Sequence, residues 1–271
     1  MVNHSPELSV VMSVYNGQEH LQESISSILN QSFSDFEFII VNDGSTDDTQ
    51  QIIEQFAARD IRIRSVNQKN AGLTISLNRG VNMARGRYIA RQDADDVSFP
   101  RRFEKQMFFL KTHPEVVLCG TWFLEDNEGK GQMIRIYPLE DTKIRKSLKY
   151  VNHFCHPSVI FLKEAFVRAG GYDENFLIAQ DFECWIRLAK EGKVANLSEV
   201  LVKRRIGFSQ TASWKHRGRK FDIALKVISK HFGSWREIDG FKFCRYYLPL
   251  LVYGVIPVPI IKIIRRFRYR N

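Results

Sequence analysis

The chain has 271 residues, of which 44% are hydrophobic and 12% are aromatic. This composition excludes a mainly disordered protein and suffices for one substantial globular core with an appended segment. The four cysteines form no Cys-x-x-Cys pair, so the sequence predicts neither a zinc site nor a disulfide framework, and we expect reduced thiols. The net charge of +10 is uneven: residues 201–271 carry 17 Lys and Arg against 3 Asp and Glu, a net of +14, and residues 1–200 a net of −4. We therefore expect the two parts to have different partners.

The first hundred residues alternate strand-like and helix-like patterns, which is the order that builds a parallel sheet. Strands are predicted at Leu8–Val14, Phe36–Asn42, 61–66 and 87–92. Helices are predicted between them, the first at about 21–29, where apolar residues recur at the spacing of one helix face, the second after Ser45 to about 58, and the third at 73–84. Ser45, with Asp48 three residues later, predicts a capping box for the second helix. The expected unit is βαβαβαβ.

Beyond Pro100 the patterns are less regular. The sequence predicts a helix to about 112, a strand at 116–120, a hairpin across 127–131, a helix near 141–150, a strand at 158–162 and a helix at 179–191. The last helix places Asp181 in its first turn. Its expected buried face consists of Phe182, Trp185, Ile186 and Ala189.

Acidic residues follow two of the predicted strands. Asp43 closes the second strand, and Asp93, Asp95 and Asp96 come directly after the fourth. Ligands of open α/β sheets bind at the carboxyl ends of the strands, so both acidic sites are expected to face one crevice. Three carboxylates in four residues repel one another, and the usual remedy is a hard divalent cation, Mg2+ or Mn2+. Together the acids indicate a site for a metal-bound nucleotide diphosphate.

Each acid also has a purely structural alternative. Asp43 is an ordinary turn former after a strand, and Asp96 precedes a helix start at Ser98 and Pro100. The alternative is weaker for Asp93 with Asp95, because one capping acid suffices and further acids add only repulsion.

Six short motifs occur in order between residues 13 and 181. They are Ser13-Val14-Tyr15-Asn16-Gly17, Val41-Asn42-Asp43-Gly44-Ser45, Asn70-Ala71-Gly72-Leu73, Asp93-Ala94-Asp95-Asp96 with Pro100 and Arg102, His156-Pro157-Ser158, and Asp181. In this order they resemble glycosyltransferase family 2, whose members are inverting enzymes of the GT-A fold that use nucleotide sugars. The resemblance implies an α/β fold with a mostly parallel central sheet flanked by helices. It implies a catalytic domain at 1–205, with a nucleotide-sugar half at about 1–100 and an acceptor half at about 101–205.

The resemblance implies roles for five residues of the nucleotide-sugar half. Tyr15 would stack on the nucleoside and Asp43 would hydrogen-bond to it, while Asp93 would lie near the ribose or the donor sugar. Asp95 would bind the divalent metal, Mg2+ or Mn2+. Lys69 would reach a phosphate, although an exposed basic residue without a ligand role is an equal alternative.

In the acceptor half, Asp181 matches the family's catalytic base. A carboxylate in the first turn of a helix is stabilised as an anion by the helix dipole, which lowers its basicity, and partial burial would be needed to offset this. His156 is a second-tier candidate for contact with the acceptor or the diphosphate, and its alternative is a histidine that is merely hydrogen-bonded. The segment 207–213 corresponds in position to a loop that covers the donor in relatives, and we assign it no contacts.

The expected function is transfer of a sugar, with inversion, from a nucleotide-diphosphate donor to a hydroxyl of a saccharide acceptor. A UDP-sugar donor, a polyprenyl-linked acceptor and a role in cell-surface polysaccharide synthesis are favoured by resemblance. A sugar-1-phosphate nucleotidylyltransferase is the enzymatic alternative, but a Gly-rich basic loop would then replace Tyr15-Asn16-Gly17 after the first strand. A catalytically vestigial membrane-associated scaffold is the non-enzymatic alternative, but such a scaffold would have no need to retain Asp43, Asp95 and Asp181. A dinucleotide oxidoreductase is disfavoured, because no Gly-x-Gly-x-x-Gly motif follows the first strand.

The extension at 206–271 is expected to be helical, basic and apolar. Its run at 246–264 is almost wholly apolar, but the Pro257-x-Pro259 pair interrupts it, so a monotopic membrane contact is favoured over a span. The arginine-rich segment 265–270 suits an anionic inner leaflet. The alternative is a helical hairpin packed on the catalytic domain, and nucleic-acid binding is disfavoured for want of a motif. No signal peptide is predicted, so we expect a cytoplasmic protein peripheral to the inner face of the membrane.

Overall fold

The computed structural model describes residues 5–127, 131–206 and 226–231. The chain divides into two compact units, one of Met1–Leu148 with Asn152–Gly207 and one of Lys149–Val151 with Phe208–Asn271. The described part of the second unit includes a helical stretch at 226–231. The predicted covering loop and membrane-contacting tail lie outside the described residues, and the predicted domain boundary stays a prediction.

The described residues of the first unit form nine strands and seven α-helices. The strands are β1 (Leu8–Val14), β2 (Phe36–Asn42), β3 (Ile63–Asn67), β4 (Tyr88–Asp93), β5 (Val97–Ser98), β6 (Val116–Asp126), β7 (Gln132–Arg135), β8 (Ile160–Leu162) and β9 (Lys193–Arg205). The helices are α1 (Leu21–Leu29), α2 (Thr49–Ala57), α3 (Leu73–Met83), α4 (Arg102–Thr112), α5 (Asp141–Leu148), α6 (Lys163–Arg168) and α7 (Gln180–Glu191). A 3-10 turn spans His156–Ser158.

The strands form one mixed sheet in the order β3-β2-β1-β4-β8-β6-β9-β5, with β7 paired to β6. The pairs β3–β2, β2–β1, β1–β4 and β6–β9 are parallel, and the shorter pairings through β5, β7 and β8 are antiparallel. In register, Val14 of β1 lies opposite Asn42 of β2, and Ser13 lies opposite Asp93 of β4. The residues that follow β1, β2 and β4 therefore leave the sheet side by side.

Helices cover both faces of β1 and β2, which explains why every residue of these two strands is buried. On one face, Leu21, Ile25 and Ile28 of α1 belong to the same apolar cluster as alternate residues of β1, and α4 adds further apolar side chains to it. On the other face, α3 packs closely on the sheet at Gly80. A Cβ atom at that position would lie 2.5 Å from Val11 Cγ1, so glycine permits the close approach of helix and strand.

Most predicted elements are confirmed, with shifts of a few residues at their ends. The strands β1 and β2 occupy the predicted ranges, and the predicted hairpin is closed by a hydrogen bond from Asn127 N–H to the Gly131 carbonyl of 3.1 Å. The predicted buried face of α7 is buried. The predicted strand at 116–120 continues to Asp126, and the sequence analysis missed α6, β5 and β9.

The predicted capping box is wrong. The second helix begins after Asp48, which makes no side-chain cap hydrogen bond. Ser45 instead donates its hydroxyl to Asn42 Oδ1 at 2.6 Å and accepts the backbone N–H of Asn16 at 3.0 Å. Ser45 thus joins the loops that follow β1 and β2, because a hydrogen-bonded contact between loops satisfies more groups here than a local cap.

Candidate active site

The loop after β1 presents Tyr15 at the carboxyl edge of the sheet. Its ring is 53% exposed, although the strand that precedes it is buried. The next residue, Asn16, has a positive φ of 50°, and its Oδ1 accepts the Thr46 backbone N–H at 2.8 Å. Gly17 N–H donates to Thr49 Oγ1 at 2.9 Å. These bonds hold the loop against the start of α2, so Tyr15 offers a fixed aromatic surface on which a planar base can stack.

Asp43 lies one residue beyond β2 and is only 2% exposed. Its Oδ1 accepts Gln68 Nε2 at 2.7 Å and Ala71 N–H at 2.8 Å, and its Oδ2 accepts Gly72 N–H at 2.8 Å. Gly72 has a φ of 92°, a conformation that favours glycine, and directly precedes α3. Asp43 therefore shapes the loop that enters α3, and its predicted contact with a nucleoside stays a prediction.

Lys69 belongs to the same loop and is exposed. Within the described residues its ammonium group has no hydrogen-bond or ion-pair partner. The neighbouring Gln68 is instead held on both sides, since it donates to Asp43 and accepts Arg79 Nη1 at 2.9 Å. Lys69 is thus an exposed cation on an anchored loop, and its contact with a phosphate stays a prediction.

Arginines surround the acidic cluster that follows β4. Arg91 is almost fully buried and forms an ion pair with Asp93. The backbone N–H of Arg205, at the end of β9, donates to Asp96 Oδ1 at 2.8 Å, and its Nη1 donates to the Asp95 carbonyl at 2.7 Å. The end of β9 therefore supplies both positive charge and hydrogen-bond donors to the cluster.

The three carboxyl groups of the cluster lie in different environments. Burial raises the pKa of Asp93, but the positive charges of Arg91 and Arg204 and the hydrogen bond from Arg91 outweigh it, and the net pKa is lowered. Burial, followed by the negative charges of Asp93 and Asp95, raises the pKa of Asp96 well above its usual value. Asp93 is thus stabilised as an anion, whereas burial and the neighbouring negative charges disfavour ionisation of Asp96, whose Oδ1 instead accepts the Arg205 N–H.

The described residues contain no cluster of three or more His, Cys, Asp or Glu side chains that would hold a metal by themselves. Mg2+ is usually bound by one or two carboxylates together with substrate phosphates and water, rather than by an all-protein cage. Asp95 is half-buried and supplies a hard oxygen ligand beside Asp93. These residues fit a divalent cation that is bound jointly with a diphosphate.

Asp181 lies in the first turn of α7, as predicted. The residue before the helix, Ala179, has a φ of 60°, an unusual value for a non-glycine residue that is typical of functional sites. Burial raises the pKa of Asp181, and this effect outweighs the lowering by the Phe182 N–H, by Arg204 and by the hydrogen bond from Asn152. Asp181 is therefore half-buried, which the sequence could not establish, and it is a better proton acceptor than an exposed carboxylate.

His156 opens the 3-10 turn, and its Nε2 lies 2.9 Å from the Tyr172 hydroxyl. Its ring also contacts Trp185 edge-on, with 5.9 Å between ring centroids. Burial, followed by the charge of Arg91, lowers the pKa of His156 well below its usual value, so the imidazole is neutral. These contacts describe a hydrogen-bonded histidine near Asp93, and its role toward acceptor or diphosphate stays a prediction.

The sequence analysis missed Arg204, the half-buried guanidinium at the centre of the site. Burial lowers the pKa of Arg204, but neighbouring groups, among them Asp96 and Asp93, raise it by more than burial lowers it. The guanidinium group therefore stays charged. Arg204 also interacts with Asp181. No described residue forms a hydrogen bond or ion pair with its guanidinium group. The signal in the sequence was the short apolar run Val200-Leu201-Val202 directly before Lys203-Arg204-Arg205, which is too short to predict a strand by itself.

Comparison with known proteins identifies the family to which the chain belongs. The sequence profile described as "Glycosyl transferase family 2" matches residues 9–170. The chain is 35% identical over 247 residues to the O-antigen biosynthesis glycosyltransferase WbnJ of Escherichia coli, covering 89% of this chain and 94% of that protein. It is 30% identical over 239 residues to the Escherichia coli UDP-Gal:alpha-D-GlcNAc-diphosphoundecaprenol beta-1,3-galactosyltransferase, covering 86% and 85%.

Among solved structures, the fold is similar to that of the mannosyltransferase PcManGT from Pyrobaculum calidifontis, solved with GDP-Man and Mn2+. The TM-score is 0.65 at 15% identity, over 98% of this chain and 80% of that chain. Fold and site together define a glycosyltransferase of the GT-A fold, as expected. The chain belongs to glycosyltransferase family 2, and within it to the surface-polysaccharide type.

Proposed function

We propose that the protein is an inverting, metal-dependent enzyme that moves a sugar from a UDP-sugar to a hydroxyl of a lipid-linked saccharide. The observation that carries the proposal is the position of Arg204. It interacts electrostatically with Asp93 and Asp96 and also with Asp181. The acidic cluster and the candidate base therefore share one guanidinium as a neighbour, which is the arrangement expected where a diphosphate leaves as a nucleophile attacks.

The leaving diphosphate is stabilised by positive charge at the edge of the sheet. Mg2+ or Mn2+, held by Asp95, would neutralise negative charge that develops on the phosphates. Arg204 has hydrogen-bond donors that no described residue uses, and it faces the same cluster. A guanidinium group suits a diphosphate because it donates two parallel hydrogen bonds. Lys69 on its loop adds a further cation for a phosphate.

Asp181 acts as the base in this proposal. It takes the proton from the acceptor hydroxyl as that oxygen attacks the anomeric carbon from the face opposite the diphosphate. The carbon–oxygen bond to the acceptor forms while the bond to the diphosphate breaks, so the anomeric configuration inverts. The raised pKa of Asp181 supports the role, because a base with a pKa nearer neutral pH accepts the proton more readily.

Recognition of the donor combines stacking and loop geometry. Tyr15 stacks on the base. Asp43 accepts the hydrogen bonds that position the loop of Lys69, and its carboxylate hydrogen-bonds to the nucleoside. Asp93, fixed by Arg91, faces the ribose or the sugar. UDP is favoured because the related galactosyltransferase is named for UDP-Gal, whereas the more distant PcManGT was solved with GDP-Man.

The acceptor proposal has two supports. A relative is named for a diphosphoundecaprenol-linked acceptor, and the apolar run at 246–264 with its arginines favours contact with an anionic inner leaflet. No helix among the described residues is long and apolar enough to cross a membrane. Deletion of residues 246–271 should abolish flotation with phosphatidylglycerol vesicles while UDP binding is kept, and unchanged flotation would contradict the membrane proposal.

The proposal is tested by incubating the purified full-length protein with single UDP-sugars, Mn2+ and a polyprenyl-diphosphate-linked N-acetylhexosamine. The expected product is a disaccharide on the lipid whose new linkage, determined by NMR, has the anomeric configuration opposite to the donor. Asp181→Asn should reduce transfer by a factor of about 100 or more while UDP affinity stays unchanged. A product with retained configuration, or pyrophosphate-dependent formation of sugar 1-phosphate, would contradict the proposal.

A further inference from the structure

Asn152 makes a direct contact with the candidate base. Its Nδ2 donates to Asp181 Oδ2 at 2.8 Å, across 29 residues of sequence. The orientation of the Asn152 amide is fixed independently, because its Oδ1 accepts the backbone N–H of Phe154 at 3.0 Å. An amide whose oxygen is bound to an N–H group must present its NH2 group on the other side. Asn152 is thus held with a donor aimed at Asp181.

The carboxylate of Asp181 is otherwise weakly oriented by side chains. Its other close donor is the backbone N–H of Phe182, next to it in α7. The charged or titratable groups that face it are Arg204 from β9, Tyr172 from the segment after α6, Tyr137 from the segment before α5 and Cys184 from α7. Burial raises the pKa of the tyrosine and cysteine groups, so they are neutral near neutral pH. Asn152 is the neutral side chain that donates directly to the carboxylate.

We propose that Asn152 is a positioning residue for Asp181: it holds Oδ2 and thereby sets the plane in which the carboxylate meets the acceptor hydroxyl. A base must lie in line with the proton that it abstracts, so free rotation of the carboxylate would lower the fraction of productive encounters. The single hydrogen bond also favours the ionised form of Asp181, which is the form that accepts a proton. This inference rests on the proposed role of Asp181 as the base.

Two variants separate positioning from folding. Asn152→Asp keeps an oxygen for the Phe154 N–H but removes the donor to Asp181 and adds a negative charge beside it. Asn152→Ala removes both bonds. Asn82→Ala, an exposed position within α3, is the matched control. Asp181→Asn is measured in parallel and serves to identify the Asp181 signal.

The first measurement needs no substrate. The side-chain carboxyl carbon of Asp181 is followed by NMR across a pH titration of full-length protein labelled with 13C-aspartate. The titration midpoint is expected at higher pH in Asn152→Ala than in the wild type, and at still higher pH in Asn152→Asp, whereas Asn82→Ala should not move it. An unchanged midpoint in both Asn152 variants would overturn the inference, even if one of them were less stable.

The second measurement is kinetic and uses a UDP-sugar that the wild type turns over. We expect kcat to fall about tenfold in Asn152→Ala with the KM for the donor unchanged, and the acidic limb of the pH–rate profile to move to higher pH. A rise in donor KM with kcat kept would instead indicate a structural role. If Asp181→Asn retained full transfer, the proposed function would fail at the base itself. If Asp181→Asn were inactive but the Asn152 variants had wild-type profiles, only the positioning role would fail.

Discussion

Replacing Asp43 by asparagine should destabilise the protein before any ligand is added. The carboxylate accepts three hydrogen bonds from the loop that leads into α3, and Oδ2 alone holds the Gly72 N–H at 2.8 Å. An amide has one oxygen, so Asp43→Asn must place an NH2 group against a backbone or side-chain donor. The side chain is 2% exposed, so water cannot compensate there.

The magnitude follows from the lost bond and the buried donor. A hydrogen bond to a charged acceptor contributes about 1.5–3 kcal/mol, and a buried unsatisfied donor costs about 1–3 kcal/mol more. The free energy of unfolding should therefore fall by about 3–5 kcal/mol. In a domain of this size about 2–4 °C of Tm corresponds to each kcal/mol, so the predicted decrease in Tm is about 10 °C.

The assay is thermal unfolding of the ligand-free protein, followed by circular dichroism. Asp95→Asn is the matched control, since it makes the same chemical change at a half-buried carboxylate whose charge repels Asp96. Its Tm should lie closer to that of the wild type than the Tm of Asp43→Asn does. A Tm for Asp43→Asn within about 2 °C of the wild type would refute the assignment of Asp43 to the loop.

Two further predictions concern Arg204 and His153. Arg204→Met should weaken UDP binding, measured by calorimetry, at least about tenfold. It should weaken UMP binding less, because the guanidinium is assigned to the diphosphate. Equal losses of affinity for both nucleotides would contradict that assignment. Burial lowers the pKa of His153 to about 4, so the folded protein binds fewer protons than the unfolded chain between pH 6.5 and 4. The free energy of unfolding should accordingly fall as pH decreases through this range, and His153 should contribute up to about 3 kcal/mol of that decrease. In chemical denaturation, the free energy of unfolding of His153→Gln should depend less steeply on pH than that of the wild type. An unaltered slope in that variant would refute the contribution of His153.

The nucleotide-sugar half could be predicted from sequence because its elements have unambiguous periodicity. β1 and β2 are predominantly apolar, every residue in them is buried, and turn residues bound them. β9 was missed for the opposite reason. It is 13 residues long, mixes exposed and buried positions and begins directly after α7, so no local pattern separates it from a loop. Its place beside β6 is decided by pairing across the whole domain.

The counter-charge of the acidic cluster could be predicted from the sequence only in part. The sequence predicts a counter-charge for Asp93, Asp95 and Asp96, and a divalent cation is the usual one. The fold supplies part of that charge through the pair of Arg91 with Asp93 and through the end of β9, about 110 residues away in the sequence. Such contacts depend on strand order, which the spacing of residues along the chain does not reveal.

The basicity of Asp181 is a similar case. Its position in the first turn of a helix follows from sequence and suggests a stabilised anion. Its burial depends on packing across the domain, which also brings Asn152 and Arg204 from distant segments to interact with it. Burial dominates, so the direction of the pKa shift is opposite to the one that the helix position alone suggests.

The most direct test of the central claim is calorimetric titration of the full-length protein with UDP in Mn2+, in Mg2+ and in EDTA, for the wild type and Asp95→Asn. We expect the wild type to bind UDP with either metal or with one of them and to lose affinity in EDTA. Asp95→Asn should bind UDP no more tightly with metal than without it. UDP binding that is independent of metal and equal in the two proteins would contradict a diphosphate site in which Asp95 holds the cation.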